Sequence, residues 1–372
     1  MKPTATVTPG PERLGEQPGR YWHRLDDGRL QCDLCPRFCR LREGQRGLCF
    51  VRARRDDAIV LATYGWSSGF CIDPVEKKPL YHFLPGSAVL SFGTAGCNLA
   101  CKFCQNWDIS KTRDFDRLQE RALPDAIARA AVETGSRSVA FTYNDPIIFL
   151  EYAVDTAIAC HASGIRTIAV SNGYICPEPR ADFFAQIDAV NIDLKAFDDD
   201  FYRKICGAHL APVLETLEYL AHETRSWLEI TNLVIPGEND TDDAFDRMTR
   251  WIAAQLGADV PLHFSAFHPA WKMADHPPTP LDTLRRAREI ARANGLHHVY
   301  LGNVHDVDGN ATHCPACGET VIGRDGYRVT AWAVDEGAAG GACAHCGASI
   351  AGVFDARPGD WNARWRRVHP GH

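Results

Sequence analysis

The stretch AVLSFGTAGCNLACKFC, residues 88–104, decides the fold because it joins a strand to a compact group of cysteines. Residues 88–94 are a short apolar run of strand type, and Cys97, Cys101 and Cys104 follow it in a C-x3-C-x2-C spacing. A four-iron four-sulfur cluster has four corners and is normally closed by four cysteines, so three thiolates leave one iron open to an outside ligand. The stretch therefore predicts an open [4Fe-4S] site. The alternatives are a zinc site completed by a distant His, or three cysteines of the core.

Strand-like and helix-like segments alternate in the centre of the chain. Further strand candidates lie at residues 138–143, 167–172, 189–194, 228–235, 262–267 and 298–304. Helix-periodic segments separate them, and several of these end at Gly, which is a typical stop signal. Apolar strands that alternate with helices indicate a parallel sheet covered by helices. The pattern predicts an α/β protein with a partial (β/α)6 barrel over residues 87–305, whose chemistry belongs to the loops after the strands.

The composition limits the class of protein. Of the 372 residues, 45% are hydrophobic and 23% are charged, which is typical of a globular protein and excludes a disordered or fibrous one. The net charge of −7 gives no reason to expect binding to nucleic acid or to a membrane surface. No apolar run approaches the roughly 18–20 residues of a membrane-spanning helix, and the N-terminal residues lack the apolar core of a signal peptide. We therefore expect a cytoplasmic protein with no nucleic-acid or membrane partner.

A second group of cysteines precedes the predicted barrel. Fifteen cysteines are many for a cytosolic protein, where clustered cysteines bind metal more often than they form disulfides. The N-terminal group has the spacing C-x2-C-x3-C-x9-C and comprises Cys32, Cys35, Cys39 and Cys49. Four thiolates close all coordination positions, so this site is expected to be structural or to relay electrons. We slightly favour zinc, with a second iron–sulfur cluster as the alternative.

A third group follows the barrel as two CxxCG turns separated by 25 residues, and comprises Cys314, Cys317, Cys343 and Cys346. Two thiolates per turn suit a tetrahedral zinc site, with a rubredoxin-type iron as the competitor. The sequence thus predicts five parts: a disordered tail (1–25), a four-Cys module with a pre-barrel segment (26–86), the barrel (87–305), a zinc-ribbon-like domain (306–356) and a solvated basic tail (357–372). Four single cysteines are assigned no role: Cys71, Cys160, Cys176 and Cys206.

The sequence CNLACKFC resembles the signature of radical S-adenosylmethionine (radical SAM) enzymes. The stretches CDLCPRFC, DPVEKKPLYHFLPGS, CQNWDIS, FTYNDP, SNGY, NIDLKAF and NLVIPGEND extend the resemblance over roughly residues 30–355. Together they resemble the family related to pyruvate formate-lyase activating enzymes, and most of all the radical-SAM component of the AmmeMemoRadiSam system. The resemblance implies a [4Fe-4S] cluster and S-adenosylmethionine as cofactors. It also implies an electron donor such as flavodoxin or ferredoxin, and partner proteins of that system.

The resemblance also implies residues that contact S-adenosylmethionine. Phe103 precedes the third cysteine of the signature, and Asn144 and Asp145 lie in the second-strand motif, whose acidic residue receives the ammonium of S-adenosylmethionine in the superfamily. Asp145 is alternatively a helix N-cap, and both roles could hold. Ser171 and Asn172 follow the third strand, where related enzymes approach the ribose or the methionyl moiety. The alternative for this pair is an ordinary strand-to-helix turn.

Three further positions extend the implied site. Asp193 and Lys195 alternate along the fourth strand and project to one face. Related activating enzymes use this Lys for S-adenosylmethionine and this Asp for a nearby cation or polar site, whereas the alternative is a structural ion pair. His268 ends the sixth strand, where activating enzymes have a His near the cofactor, although such a His is often structural. Thr231 stands where those enzymes carry an Arg, which puts glycyl-radical activation in doubt.

These observations predict an enzyme that reductively cleaves S-adenosylmethionine to a 5′-deoxyadenosyl radical, with Cys97, Cys101 and Cys104 as its catalytic cluster ligands. The radical would abstract hydrogen from a small-molecule or peptide substrate. One alternative is activation of a glycine residue on a partner protein, and another is a non-catalytic metal-binding or electron-transfer protein. The intact C-x3-C-x2-C spacing argues against the last. Lys77 and Lys78, ahead of the barrel, are expected to form an exposed pair.

Overall fold

The computed structural model describes residues 15–113, 115, 118, 120–337, 340–362 and 364–371. Residues 1–14, which belong to the predicted disordered tail, lie outside the described residues. Helices and strands of the described part alternate through the centre of the chain, which confirms the prediction of an α/β protein. No described helix is long and apolar enough to cross a membrane.

Short antiparallel strands build the N-terminal module around the first cysteine group. They are β1 (Gly15–Pro18), β2 (Trp22–Arg24), β3 (Leu30–Cys32), β4 (Arg40–Leu41), β5 (Arg52–Arg55) and β6 (Ala58–Tyr64). They form two three-stranded sheets, in the orders β1-β6-β5 and β2-β3-β4. The predicted disordered tail is therefore wrong for residues 15–25, because pairing with β6 and β3 satisfies the backbone groups of β1 and β2.

The pre-barrel segment contains a buried ion pair. It comprises β7 (Trp66–Ser67), β8 (Phe70–Pro74) and a 3-10 turn (Val75–Lys77). The ammonium groups of Lys77 and Lys78 lie 2.8 and 2.7 Å from the two carboxylate oxygens of Asp73, which is fully buried. The expectation of an exposed pair is therefore wrong for Lys78, which is buried because Asp73 neutralises its charge.

A mixed nine-stranded sheet forms the centre of the protein. After β8, its strands along the chain are β9 (Ala88–Phe92), β11 (Ser138–Phe141), β12 (Arg166–Ser171), β13 (Ala189–Asp193), β14 (Trp227–Val234), β15 (Leu262–Ala266) and β16 (Val299–Gly302). The short strand β10 (Glu120–Arg121) lies outside this sheet and pairs with β7. Within the described residues, β9 and β11 to β16 pair in parallel and in chain order, and these seven strands lie at the seven strand candidates of the sequence. Every residue of β9, β11 and β15 is buried, which explains their apolar sequences. β16 forms one edge of the sheet, and the antiparallel strands β8 and β23 lie at the other edge. The curvature of the sheet into a partial barrel stays a prediction.

The helices lie mainly in the connections between the parallel strands. They are α1 (Trp107–Ser110), α2 (Pro124–Glu133), α3 (Leu150–Ala162), α4 (Pro177–Phe184), α5 (Asp199–Phe201), α6 (Ala211–Glu223), α7 (Asp242–Gln255) and α8 (Leu281–Ala293). Helix α7 illustrates how the sequence determines where a helix begins. Thr241 caps its first turn by accepting a hydrogen bond from Ala244 N. Its buried residues share one helical face: Phe245, Met248, Thr249 and Ile252.

Two small antiparallel sheets follow β16 and the short helix α9 (Val307–Asn310). Their strands are β17 (Thr312–His313), β18 (Thr320–Asp325), β19 (Arg328–Trp332), β20 (Val334–Gly337), β21 (Gly340–Cys343) and β22 (Ser349–Ala351). The last strand, β23 (Arg366–Val368), pairs with β8 at the edge of the central sheet. Both arginine side chains of β23 are exposed, as expected for a solvated basic tail, while the backbone of these three residues is paired.

Arg324 of β18 fixes this C-terminal region to the pre-barrel segment. Its side chain is fully buried, and its guanidinium donates hydrogen bonds to Thr312 Oγ1 (2.9 Å) and to the carbonyl oxygen of Tyr81 (2.6 Å). It also lies 4.3 Å from the centre of the Tyr81 ring, in a cation–π contact. Because each buried charge needs such partners, this network determines where the region docks.

Candidate functional site

The cysteines of the C-x3-C-x2-C signature lie on the loop that follows β9, at the carboxyl end of the parallel strands. The amide of Asn144 shapes this loop, because its nitrogen donates to the carbonyl oxygens of Ala95 (3.3 Å) and Gly96 (2.9 Å). The Asn144 oxygen accepts a hydrogen bond from Thr94 N (3.0 Å). Asn144 therefore holds the three residues that lead into Cys97.

Gly96 brings the N-terminal module against this loop. Its φ angle is +81°, a conformation that favours glycine, and a Cβ atom there would lie 1.9 Å from the carbonyl oxygen of Cys49. Only glycine fits at this point. The first cysteine group and the C-x3-C-x2-C loop are consequently in direct backbone contact.

Polar side chains surround the sulfurs of the loop. Asn172 donates a hydrogen bond to Asn98 Oδ1 (2.8 Å), and its amide nitrogen lies 4.0 Å from Cys97 Sγ. Cys104 Sγ lies 3.0 Å from Ser110 Oγ. Cys97 and Cys104 are therefore partly buried beside polar groups, whereas Cys101 is buried. Three thiols on one loop are a donor set that fits three corners of a [4Fe-4S] cluster.

Asp145 is held by three donors. Its carboxylate accepts hydrogen bonds from Ile147 N (3.0 Å), Asn172 N (2.7 Å) and Ser171 Oγ (3.1 Å). The bond from Ile147 N makes Asp145 the N-cap of the 3-10 helix Pro146–Phe149, which confirms the predicted helix N-cap. This bond leaves the predicted contact with S-adenosylmethionine open. Burial raises the pKa of Asp145 to about 6, although the Asn172 and Ile147 N–H groups oppose the shift.

Asp193 and Lys195 form an ion pair at the end of β13. Lys195 Nζ lies 2.9 Å from Asp193 Oδ2 and 5.7 Å from the centre of the Phe103 ring. Burial opposes the Lys195 charge, but Asp193 and the nearby Cys101 and Cys206 sulfurs outweigh it and raise the pKa of Lys195. The ion-pair alternative therefore describes the geometry, while a role toward a cofactor stays a prediction.

Thr231 and His268 occupy the neighbouring strand ends. Thr231 pairs in register with Asp193, and its buried hydroxyl has no hydrogen-bond partner within the part of the chain that the structure describes. Such a hydroxyl is costly unless a ligand satisfies it. His268 is exposed, two residues beyond the end of β15, and its role stays a prediction.

Several residues near the loop escaped the sequence reasoning. Lys111 donates from Nζ to the carbonyl oxygen of Leu99 (2.7 Å), inside the C-x3-C-x2-C segment. Cys206, which was assigned no role, contacts the loop through its carbonyl oxygen, which accepts a hydrogen bond from Ala100 N (2.9 Å). Its side chain lowers the pKa of Cys101 below the usual value for a thiol. Asn98 was not among the predicted site residues, although its place directly after Cys97 could have pointed to it. Nothing in the local sequence signals Cys206, because the fold brings it to the loop from a distant segment.

Tyr143 links the site to the pre-barrel ion pair. It is a non-glycine residue with a φ angle of +70°, so its backbone is strained. Its hydroxyl donates to Asp73 (3.0 Å) and lies 2.6 Å from Cys71 Sγ. Tyr143, Cys71 and Asp73 thus form one buried cluster directly before Asn144.

The C-terminal cysteines are gathered tightly. The Sγ atoms of Cys314 and Cys346 are 3.7 Å apart, those of Cys317 and Cys343 are 3.8 Å apart, and all four lie within 4.8 Å of one another. A tetrahedral zinc ion with zinc–sulfur bonds of about 2.3 Å holds its sulfurs about 3.8 Å apart. The group therefore fits a single tetrahedral metal ion.

Comparisons with known proteins show what the chain is similar to. A model of the radical SAM superfamily matches residues 92–249. The uncharacterized protein MJ0808 of Methanocaldococcus jannaschii is 40% identical over 304 residues, which cover 82% of this chain and 90% of that protein. The pyruvate formate-lyase 1-activating enzyme of Escherichia coli is 27% identical over 169 residues, which cover 44% of this chain and 68% of that enzyme. A solved radical SAM methyltransferase from Sphaerobacter thermophilus aligns with a TM-score of 0.46 at 17% identity, over 82% of this chain and 81% of that one.

The chain belongs to the family of the Methanocaldococcus protein. Its residues 92–249 form a radical SAM domain with homology to the pyruvate formate-lyase activating enzymes, and members of the radical SAM superfamily are enzymes. The superfamily implies a [4Fe-4S] cluster, S-adenosylmethionine and a source of electrons. The finer likeness to the AmmeMemoRadiSam component stays a prediction.

Proposed function

We propose that the protein reductively cleaves S-adenosylmethionine at a [4Fe-4S] cluster held by Cys97, Cys101 and Cys104, and uses the product radical to abstract hydrogen from a small-molecule or peptide substrate. The observation that carries the proposal is that Cys97, on the C-x3-C-x2-C loop after β9, lies beside Asn172, whose backbone N–H donates to Asp145. The cluster, when bound, supplies one electron and an open iron for the methionyl group.

The chain's own residues bind and orient in this proposal. Asp145 keeps one free lone-pair position, because three donors occupy three of the four that a carboxylate offers, and this position can receive an ammonium. Lys195 can orient a carboxylate or a hydroxyl from its place beside Phe103. The unpartnered Thr231 hydroxyl can bind a polar group of the cofactor or substrate. His268, which is exposed, is the proposed contact at the edge of the site.

The test is cofactor cleavage by anaerobically reconstituted protein with dithionite as the reductant. We expect 5′-deoxyadenosine and methionine as products, and we expect Cys97→Ala, Cys101→Ala or Cys104→Ala to abolish them. Cys160→Ala is the matched control, because Cys160 is buried in α3 and belongs to no cysteine group. Undiminished turnover in the three loop variants would refute the proposal.

Glycyl-radical activation of a partner protein is the second candidate, and the homology to pyruvate formate-lyase activating enzymes favours it. The presence of Thr231 where the activating enzymes carry an Arg favours the small-molecule or peptide substrate instead. A glycyl-radical partner would show a doublet in the electron paramagnetic resonance spectrum after incubation with the active enzyme. Partner proteins of the AmmeMemoRadiSam system are the first to test, with flavodoxin or ferredoxin as the electron donor.

The layout of the chain completes the proposal. The boundaries at residues 86, 305 and 356 are proposed to separate a four-Cys module, a radical SAM barrel and a zinc-ribbon-like domain. The sulfur spacing of the C-terminal group supports zinc as its metal. Metal analysis of the Cys314→Ser/Cys317→Ser variant tests this assignment.

A further inference from the structure

The two four-cysteine groups differ in how far apart their sulfurs lie. Among the residues that the structure describes, the C-terminal group is the one set of His, Cys, Asp or Glu side chains whose ligand atoms gather within 4.8 Å of one another. No three sulfurs of the N-terminal group meet that spacing. A tetrahedral zinc ion needs its sulfurs about 3.8 Å apart. Within the described residues, the four thiols of the N-terminal group are therefore gathered less tightly than those of the C-terminal group, which favours a larger group than a single zinc ion.

A gap lies between these four thiols. One cavity is lined by all four, and its other walls include Arg37, Gly47, Arg52 and Asn98. A Cβ atom at Gly47 would lie 3.6 Å from Cys39 Sγ and 3.7 Å from Cys49 Sγ, so both sulfurs face the same point. These contacts are ordinary, and the φ angle of Gly47 is not positive. The protein alone therefore has room for a methyl group at this position, which lies inside the gap between the thiols.

Two cations line this cavity, Arg37 and Arg52. Arg37 Nε donates to the carbonyl oxygen of Asn98 (2.8 Å), while its Nη2 lies toward Gly207, where a Cβ atom would be 3.9 Å from it. Arg52 donates to Glu151 (2.7 Å) and to the carbonyl oxygen of Ile148 (2.8 Å). Both guanidinium groups therefore place positive charge beside the four thiols, which favours an anionic group between them.

We propose that Cys32, Cys35, Cys39 and Cys49 bind a second [4Fe-4S] cluster, in place of the zinc ion that the sequence favours. Each thiolate of such a cluster binds a different iron, which suits widely spaced sulfurs around a gap. The cluster fills the space at Gly47, and the charges of Arg37 and Arg52 offset its negative charge. Four thiolates leave no open iron, so this cluster does not bind S-adenosylmethionine.

The second cluster lies directly behind the C-x3-C-x2-C loop. Asn98, which follows Cys97, lines the same cavity, and the Cys49 carbonyl packs against Gly96. Only this statement about two neighbouring clusters rests on the proposed function, since it requires the first cluster at Cys97. The existence of the second cluster is independent of it.

The decisive experiment uses the full chain with Cys97→Ala, Cys101→Ala and Cys104→Ala combined, so that iron cannot bind at the loop. After anaerobic reconstitution, iron, sulfide and zinc are measured, and a Mössbauer spectrum is recorded. We expect about four irons and about four sulfides per chain, with about one zinc. About two zinc ions without iron, or about two irons with two sulfides, would overturn the proposal. Failure of the proposed function would not alter this result.

Two further variants in the same triple-Ala chain locate the iron. Cys32→Ser/Cys35→Ser should remove it while about one zinc remains, which shows that the rest of the chain has folded. Gly47→Ala should lower the iron content with an unchanged circular dichroism spectrum, because the protein itself has room for the methyl group. Full iron occupancy in either variant would contradict the site.

Electron paramagnetic resonance tests the placement of the two clusters. In the wild-type protein with both clusters reduced, spin–spin coupling between neighbours should broaden the signal. The triple-Ala chain, with one cluster, should show an unbroadened signal. A wild-type spectrum equal to the sum of two isolated clusters would contradict the proposed contact, even where the iron counts agree.

Discussion

Replacing Asp145 by Asn separates two roles that the structure allows for one carboxylate. Three donors hold the group, and one lone-pair position remains for an ammonium. If the ammonium of S-adenosylmethionine binds there, Asp145→Asn loses a charge-assisted hydrogen bond worth about 1.5–3 kcal/mol. This corresponds to a dissociation constant about 10- to 150-fold higher. Cluster content should be unchanged, because Asp145 is no cluster ligand.

The measurement is a binding isotherm for S-adenosylmethionine on reconstituted protein, with iron content determined on the same sample. Ser171→Ala is the matched control, since it removes one donor to the carboxylate (3.1 Å) but keeps the charge. We expect its affinity to fall by less than about threefold. An unaltered isotherm for Asp145→Asn, together with a lower melting temperature, would show that Asp145 acts only as a helix cap.

The pH dependence of Asp145 gives a second readout of the same variant. Burial raises its pKa from the ordinary 3.8 to about 6. A raised carboxyl pKa means that the folded protein binds the proton more tightly, so this contribution to stability is present below about pH 4 and is lost as the pH rises through about 6. Between about pH 5 and about pH 8, wild-type stability should fall by about 1–2 kcal/mol relative to Asp145→Asn. A constant difference would mean that the carboxyl group titrates normally.

Three other substitutions test separate features. Cys314→Ser/Cys317→Ser should remove about one zinc per chain and make the C-terminal sheets sensitive to protease, whereas retained zinc would place the ion elsewhere. Arg52→Met should destabilise the protein by about 3–5 kcal/mol in urea unfolding because Glu151 stays buried without its partner, and Arg52→Met/Glu151→Leu should recover most of the loss. Equal losses in both variants would contradict this account. Thr231→Val should raise stability by about 1 kcal/mol and weaken cofactor or substrate binding, and a destabilised variant would reveal a hidden partner of the hydroxyl.

The central sheet could be predicted from the sequence because its strands are buried on both faces. Runs such as AVLSF and SVAF become continuous apolar segments, and β9 and β11 lie where these runs are. The loop after β9 was equally readable, since its cysteines are close together in sequence. Local patterns of this kind are enough to predict which residues form strands and loops, and the structure adds how the strands pair.

Contacts between distant segments were not readable. The short strands β1 and β23 are polar, and they pair only because β6 and β8 offer free edges, which no local pattern reports. Lys78 is buried because Asp73 lies against it, and Arg52 is buried because Glu151 of α3 reaches it. In each case the sequence shows a charged residue and the fold supplies the partner.

The two four-cysteine groups show where a finer reading of the sequence was available. Both groups begin with C-x2-C, and counting thiolates cannot separate zinc from a cluster. In the C-terminal group a glycine follows each turn, Gly318 and Gly347, with φ angles of +78° and +76°. Their N–H groups bond back to the carbonyl oxygens of Cys314 and Cys343, which curls each turn so that its thiols approach one ion. The N-terminal C-x2-C is followed by Pro36, which has no N–H to make that bond, and its thiols stay apart around the gap at Gly47. The residue after the turn, rather than the number of cysteines, therefore accounts for the different sulfur spacing of the two groups, on which the proposed second cluster rests.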